Sequence, residues 1–299
     1  MQTAKLPQPD PIKNGERLKG EGMRQLLRKV VKSAAPGAHL WAMRRWGRGG
    51  RDYRATAALA ARYQGRVLEG PFAGMAYVNE AVGSALYPKM IGCYEFELHP
   101  VIGAVLKRRH KLIVDVGCAE GYYAIGLALH VPESRVYAYD IDPQARMLCA
   151  KMADSNGVGS RVFVRGRCDH EELVAVLPAD SALILCDCEG FELELLDPER
   201  VGALCRCDLL VELHDFIVPG LTPKLLQRFT NTHNVEIIPS IDRRPGDRPE
   251  FRRLSAADQI HALCERPTPM QWAWLTTKLC STGSADSRCD RAGQDRAVI

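Results

Sequence analysis

One stretch of sequence decides the fold: Leu112-Ile-Val-Asp-Val-Gly-Cys-Ala-Glu-Gly-Tyr-Tyr-Ala-Ile-Gly126. Residues 112–116 are apolar enough to predict a buried strand, and a helix is expected from about Gly121 to His130. Gly117 and Gly121 flank the turn between them, where the missing side chains let the backbone approach a ligand closely. The helix N-terminus also offers unpaired N–H donors. The stretch therefore predicts a ligand-binding turn at the end of a strand.

Two aspartates accompany this turn. Asp115 lies near the end of the first strand, and a second predicted strand, 135–139, delivers Asp140 to its carboxyl end, 19 residues after Gly121. An acidic side chain at that position suits the two hydroxyls of a ribose. The sequence thus predicts a nucleoside-bearing cofactor in a doubly wound α/β domain. The alternative is a strand–turn–helix unit with a purely structural role.

The glycine spacing discriminates between cofactors. A dinucleotide site is typified by G-x-G-x-x-G, because the pyrophosphate needs three small positions, whereas here Ala119 and Glu120 occupy the turn. A carboxylate beside a pyrophosphate would repel it, but it is tolerated near a cationic sulfonium or an amino group. We therefore expect Glu120 among the cofactor contacts and disfavour an NAD-dependent oxidoreductase.

The composition is that of a globular protein. Of the 299 residues, 46% are hydrophobic and 25% are charged. No apolar run reaches the roughly 18–20 residues of a membrane helix, and the first ten residues lack the apolar core of a secretory signal. The eleven cysteines, an odd number without an export signal, favour reduced thiols over disulfides. These features predict a cytoplasmic protein and leave its oligomeric state open.

Positive charge is concentrated at the N-terminal end. The net charge is +4, but residues 1–70 contain 15 Lys or Arg against 5 Asp or Glu. Trp41 and Trp46 lie beside a run of arginines: Arg44, Arg45, Arg48, Arg51 and Arg54. Such a segment either meets nucleic acid or an anionic membrane surface, or forms the solvated face of short helices. Because the run lacks the repeated aromatic platforms of an RNA-binding module, we favour the solvated face and do not expect nucleic acid as a partner.

Strands and helices alternate from residue 111 onward, which predicts parallel pairing with right-handed crossovers. We predict a Rossmann-like, doubly wound α/β fold with a mostly parallel seven-stranded sheet: 112–116, 135–139, 161–165, 182–187, 207–212, and an antiparallel pair at 235–238 and 272–276. Helices are expected at 121–130, 142–155, 169–176, 191–204 and 221–231. The chain divides into a basic helical N-terminal extension (1–69), a loop-and-helix lead-in covering the active site (70–110), the main domain (111–280) and a polar tail expected to be disordered (281–299).

Acidic residues recur where these strands end. Asp115, Asp140, Asp187 and Glu212 each finish a predicted strand, and Asp169 follows the third strand closely. Ligands of open α/β sheets bind outside the carboxyl ends of the strands. One or two such aspartates are typical helix caps, whereas four in register predict a common crevice.

Three motifs follow one another along the main domain. They are Asp115-x-Gly117-x-x-x-Gly121, then Asp187-Cys-Glu-Gly-Phe-Glu192, then Glu212-Leu-His214, with Gly92-Cys-Tyr-Glu95 ahead of them. Over about residues 70–280 they resemble the FkbM-type family of class I S-adenosylmethionine-dependent methyltransferases. The resemblance implies S-adenosylmethionine as donor, a methyltransferase domain at 111–280, and methylation of a hydroxyl on a small molecule or sugar.

The donor contacts follow from the turn and the strand ends. Asp115, Gly117 and Gly121 are expected to hold the amino-acid half of the donor, Asp140 its ribose and Asp169 its adenine amino group. This assignment extends the ribose argument made for Asp140 to the other strand ends that face the same crevice.

The acceptor side is assigned to the last two motifs. Asp187, Glu189 or His214 is expected to take or orient the hydroxyl proton, with a structural histidine as the alternative for His214. Tyr94, Glu95 and Glu212 are candidates for contact with the substrate. Tyr94 and Glu95 could close over it, with a core tyrosine and a helix cap as their alternatives.

Three questions stay open at this level. A Mg²⁺ ion is a candidate cofactor because Asp187, Glu189, Glu212, His214 and Asp215 supply enough ligand atoms. An RNA methyltransferase that uses the basic extension is an alternative, although base N-methyltransferases usually carry Asn or Asp followed by Pro-Pro and an aromatic where this chain has Asp187-Cys-Glu-Gly190. A protein that binds the nucleoside without catalysis is the third reading.

Overall fold

The computed structural model describes residues 61, 64–177, 181–241, 256, 259, 265 and 269–278. Residues 1–63 of the N-terminal extension, with the exception of residue 61, and the tail 281–299 lie outside the described residues, so what the sequence indicates for them stays a prediction. None of the helices in the described ranges is long and apolar enough to span a membrane.

The described elements alternate as the sequence indicates. In chain order they are α1 (Leu86–Ile91), a 3-10 turn (Phe96–Leu98), α2 (His99–Arg108), β1 (Leu112–Val116), α3 (Tyr122–His130), β2 (Arg135–Tyr139), α4 (Pro143–Ser155), β3 (Val162–Arg165), α5 (His170–Val176), β4 (Leu183–Cys186), α6 (Glu192–Leu195), a 3-10 turn (Gly202–Arg206), β5 (Asp208–Leu213), α7 (Leu221–Phe229), β6 (His233–Pro239) and β7 (Gln271–Thr277).

The strands form one sheet in the order β3-β2-β1-β4-β5-β7-β6. The pairs among β1 to β5 are parallel, and β7 lies antiparallel between β5 and β6. This confirms the predicted seven-stranded, mostly parallel, Rossmann-like sheet. The chain order reverses between β1 and β4, and such a switch point is where open α/β sheets bind ligands.

Helices cover both faces of the sheet, which explains the continuous apolar runs of its central strands. On one face Ile113 of β1 packs in a core with Ile125 of α3 and Leu148 of α4. On the other face Val114 of β1 packs with Leu173 of α5 and the buried residues of α6 and α7. Consecutive residues of one strand thus belong to two different cores. Because both faces of the strand are buried, its sequence does not alternate between apolar and polar residues.

One predicted helix is wrong. The sequence pattern predicts a helix over 191–204, but α6 ends at Leu195 and only a 3-10 turn follows at Gly202–Arg206. Pro198 explains the interruption, since proline lacks an N–H donor and disfavours helical conformation in the residue before it. A smaller difference is α1, a short helix inside the lead-in where the sequence indicates a loop.

Candidate active site

The glycine turn after β1 is fixed to both neighbouring strands. The backbone N–H groups of Gly117 and Cys118 donate to the carbonyl of Tyr139 at the end of β2, at 2.9 and 3.0 Å. On the other side, a Cβ added to Gly117 would lie 1.8 Å from the carbonyl oxygen of Asp187, and Gly117 has a φ of +84°. Only glycine fits where the turn crosses the exit of β4.

Asp140 lies at the end of β2 and holds this turn. Its Oδ2 accepts from the backbone N–H of Ala119 at 2.9 Å, and its Oδ1 accepts from that of Asp142 at 2.8 Å. Burial raises the pKa of Asp140, although both of these hydrogen bonds lower it. Each carboxylate oxygen keeps a further lone pair, so the group can accept from additional hydroxyls.

Asp115 is buried one residue before the end of β1. Burial raises the pKa of Asp115 to about 7, a hydrogen bond from the Ala124 backbone opposes this, and the charges of Asp187 and Asp140 add to it. Its Oδ2 is buried and has no hydrogen-bond partner among the described residues. A buried acceptor without a donor favours a cationic or N–H-bearing ligand at this point.

Glu120 is buried and paired with groups of the lead-in. Its carboxylate is buried and accepts from Lys89 Nζ at 2.6 Å, from the Tyr77 hydroxyl at 2.5 Å and from the backbone N–H of Val82 at 3.0 Å. These hydrogen bonds connect the glycine turn to the lead-in, and a direct cofactor contact of Glu120 stays a prediction. Lys89 balances the charge of Glu120, so electrostatic repulsion by Glu120 is no longer a reason to exclude a dinucleotide pyrophosphate. The spacing of the glycines is the remaining reason to disfavour a dinucleotide cofactor.

Asp169 and Ile141 lie next to the ends of β3 and β2. Asp169 caps α5, since its Oδ1 accepts from the backbone N–H of Glu172 at 3.0 Å. Helix capping alone is enough to explain an aspartate at position 169, and the predicted contact with the adenine amino group stays a prediction. Ile141, which follows Asp140 directly, has a side chain that is 78% exposed. The sequence analysis assigns no role to Ile141, although an apolar residue directly after the carboxylate predicted to bind ribose can be recognised in the sequence.

The acceptor side is built around His214, which is buried just after β5. Its Nε2 lies 3.5 Å from Asp187 Oδ1, 3.4 Å from Glu212 Oε2 and 3.7 Å from Glu189 Oε2. Its Nδ1 lies 2.8 Å from Glu192 Oε1. The structure thus brings together the three residues that the sequence assigns to catalysis, with Glu212 beside them.

The surroundings of His214 determine its protonation. Burial by itself lowers the pKa of the imidazole, but the carboxylates of Glu192 and Glu212 and the charge of Asp187 raise the pKa to about 11. As long as no cation is bound among these carboxylates, His214 therefore carries a proton on both ring nitrogens near neutral pH. In that state it is a poor general base, and the predicted general-base role stays with Asp187 and Glu189 as a prediction.

Glu192 organises the exit of β4. Its Oε1 accepts from the backbone N–H groups of Cys188 and Gly190, both at 3.1 Å, and the side chain is fully buried. Between them Glu189 adopts a φ of +56°, which non-glycine residues rarely adopt. Sequence reasoning did not assign a role to Glu192, although it is the last glutamate of the Asp187–Glu192 motif.

Tyr94 and Glu95, the two substrate-site candidates in the lead-in, contact residues of α3. Tyr94 is buried with its ring 5.4 Å from that of Tyr122, and Lys89 Nζ lies 4.8 Å from the Tyr94 ring centroid. Glu95 is buried and accepts a hydrogen bond from the Tyr123 hydroxyl. The burial of Tyr94 matches its alternative as a core tyrosine. Glu95 precedes the 3-10 turn but makes no side-chain capping hydrogen bond, so the helix-cap alternative is not confirmed. A direct substrate contact of either residue stays a prediction. Asp215 accepts from Thr222 and is likewise engaged.

The sheet order with an antiparallel seventh strand defines the class of fold, the Rossmann-like methyltransferase fold. No family model matches the chain. The probable cobalt-precorrin-6B C(15)-methyltransferase (decarboxylating) of Pyrobaculum calidifontis is 45% identical over 73 residues, 24% of this chain and 36% of that protein. A ribosomal protein L11 methyltransferase of Acinetobacter baumannii is 39% identical over 56 residues, 19% of this chain and 18% of that protein.

The chain thus spans about a third of the first curated relative and less than a fifth of the second. Among solved structures, the precorrin-6y C5,15-methyltransferase of Geobacter metallireducens is similar, with 12% identity, a TM-score of 0.40, and coverage of 60% of this chain and 88% of that one. The curated relatives are methyltransferases by name, and what each of them methylates is a property of that protein.

Proposed function

We propose that this chain is an S-adenosylmethionine-dependent methyltransferase that methylates a hydroxyl group of a small molecule or sugar. The observation that carries the proposal is the buried Asp115 Oδ2, an acceptor without a described partner beside a turn where only glycine fits. The short matches to two curated methyltransferases and the FkbM-type motifs support the same activity.

The donor side is proposed to bind in three parts. Asp115 accepts from the donor's amino group, the backbone at Gly117 and Gly121 lies against its amino-acid half, and Asp140 accepts from the ribose hydroxyls. The exposed Ile141 side chain offers an apolar surface for the adenine ring, which fits the donor better than Asp169 does. When bound, S-adenosylmethionine supplies an electrophilic methyl group on a sulfonium.

The acceptor side is proposed to lie at the ends of β4 and β5. The side chains of Asp187 and Glu189 are partly exposed, at 34% and 26%, so a hydroxyl can reach them. One of them accepts the hydroxyl proton, while His214 and Glu192 keep the carboxylates in position.

Replacing Asp140 by alanine is expected to weaken donor binding by about 10- to 100-fold, since hydrogen bonds to a charged group contribute roughly 1.5–3 kcal/mol. Titration calorimetry with S-adenosylmethionine measures the change. Asp142→Ala is the matched control, because Asp142 caps α4 and should lower stability without a comparable loss of affinity. Unchanged donor binding in a folded Asp140→Ala variant would remove the ribose assignment.

Donor binding is also expected to depend on pH through Asp115. A carboxyl with a pKa of about 7 is mostly protonated at pH 5.5 and mostly ionised at pH 7.5, and only the ionised form attracts an ammonium group. Affinity should therefore rise with pH, on the order of 10-fold across this interval. Asp115→Asn should flatten the dependence. The same pH profile in this variant would assign the titration to another group.

An RNA methyltransferase is the second candidate, favoured by the basic charge of residues 1–70. RNA binding that weakens steeply with added salt would support it, because neutralised phosphates release counterions. Absence of RNA binding at low salt would leave the small-molecule acceptor as the proposal.

A further inference from the structure

We propose that Asp187, Glu212 and His214 bind a divalent transition-metal cation of the Mn²⁺ type, with Glu189 at the edge of the site. Ligand atoms of the first three residues all lie within 4.8 Å of one another. A role of this cation in catalysis rests on the proposed methyltransferase function, whereas the binding of the cation does not.

The distances around His214 Nε2 suit metal ligands better than hydrogen bonds. An N–H···O hydrogen bond spans about 2.7–3.2 Å, but Asp187 Oδ1 and Glu212 Oε2 lie 3.5 and 3.4 Å from Nε2. Two ligands held about 2.0–2.2 Å from one ion at angles of 90–110° are roughly 2.8–3.6 Å apart. Both carboxylate oxygens fall in that range, and Glu189 Oε2, at 3.7 Å, lies just beyond it.

The buried imidazole is the second, independent observation. His214 is fully buried, and neither Nε2 nor Nδ1 makes a hydrogen bond of normal geometry with the described residues. The Nε2 atom lies within 3.5 Å of an oxygen of each of the two carboxylates. A polar atom buried in this way needs a partner. A cation among these ligands provides one by taking the place of the Nε2 proton, which is released to solvent, because a metal-bound imidazole is neutral.

Glu192 gives His214 the support that a metal-binding histidine requires. Metal-bound histidines usually donate the N–H of their other ring nitrogen to a carboxylate or a carbonyl. This hydrogen bond fixes the orientation of the ring and raises the basicity of the nitrogen that binds the metal. Here Nδ1 lies 2.8 Å from Glu192 Oε1, and that oxygen is itself held by the N–H groups of Cys188 and Gly190. The ring is thus oriented with Nε2 toward Asp187 and Glu212.

The ligand chemistry selects the class of ion. The all-oxygen sites of Mg²⁺ keep several waters, whereas imidazole suits the transition metals and carboxylates suit Mn²⁺ as well. One imidazole with two carboxylates therefore favours Mn²⁺ over the Mg²⁺ indicated by the sequence. Asp215, which the sequence places in the same set, accepts from Thr222 and is left out.

The exit of β4 places the site beside the donor turn. The carbonyl of Asp187 is in the position that a Cβ on Gly117 would overlap, so the cluster and the glycine turn are direct neighbours. An ion with three protein ligands keeps open positions for a hydroxyl oxygen of the acceptor.

The test is a Mn²⁺ titration of the full-length, chelator-treated chain, followed by electron paramagnetic resonance of free Mn²⁺. We expect one bound Mn²⁺ per chain, binding at least about 10-fold weaker in Asp187→Asn, and unchanged binding in Asp215→Asn. Mg²⁺ should compete only at much higher concentration. Thermal unfolding with and without Mn²⁺ provides a second readout, since an ion that binds only the folded state raises the Tm of the wild type but not of Asp187→Asn.

Two results would overturn the proposal: no saturable Mn²⁺ site on the folded wild type, or equal binding in Asp187→Asn. Mg²⁺ binding as tight as Mn²⁺ binding would overturn the assignment of the ion. Donor affinity is measured separately by calorimetry and tests the proposed function. A negative result for Mn²⁺ binding therefore leaves the test of donor binding valid, and a negative result for donor binding leaves the test of the metal site valid.

Discussion

Gly117→Ala is expected to abolish donor binding while the sheet still forms. The added Cβ would lie 1.8 Å from the carbonyl oxygen of Asp187, a backbone atom that cannot rotate away. Either the glycine turn or the exit of β4 must therefore move, and both line the proposed donor site. We expect donor affinity to fall by at least about 100-fold, which corresponds to about 2.7 kcal/mol. Calorimetry with S-adenosylmethionine measures it.

Gly157→Ala is the matched control for this variant. Gly157 has a φ of +68°, so alanine there carries the same kind of left-handed strain, about 1–2 kcal/mol. No heavy atom lies within 4 Å of its added Cβ, in contrast to Gly117. This variant should lose stability and keep its donor affinity. If a folded Gly117→Ala protein binds the donor as Gly157→Ala does, the turn is not the donor site.

The main features of the crevice could be predicted because they follow from the sheet alone. Parallel strands end at the same edge, so Asp115, Asp140 and Asp187 had to meet once the strands were correctly assigned. Apolar runs of four to six residues located those strands, and their ends needed no knowledge of side-chain packing. The break at Pro198 was also readable, since a proline within a predicted helix interrupts it.

The pairing of charges could not be predicted in the same way. Glu120 looks like a ligand contact in the sequence, because nothing marks Lys89, 31 residues earlier, as its partner. Similarly, Glu192 is four residues from Cys188 in sequence, but its contact with His214 depends on how β4 and β5 pair. Strand periodicity determines which face a side chain occupies, and it leaves open which opposite charge it meets there.

The buried pair of Lys89 and Glu120 leads to the largest expected effect on stability. The side chains of Lys89 and Glu120 are 3% and 0% exposed, and Nζ lies 2.6 Å from Oε1. Lys89→Met keeps most of the apolar volume but leaves the glutamate without its cation. Breaking a buried pair by removal of one partner typically costs about 3–5 kcal/mol, because the remaining charge stays desolvated. Urea unfolding should show a correspondingly lower free energy of unfolding.

Arg109→Met supplies the comparison for Lys89→Met, since Arg109 and Glu133 form an ion pair at 2.6 Å on the exposed surface. Water screens that pair, so its loss should change the urea midpoint far less. The double variant Lys89→Met/Glu120→Gln tests the cause directly. Removing the charge of Glu120 should restore part of the stability that Lys89→Met loses, because a neutral amide is easier to bury than a carboxylate. If the double variant is less stable than Lys89→Met, packing of the lysine stem and not the orphaned charge explains the loss.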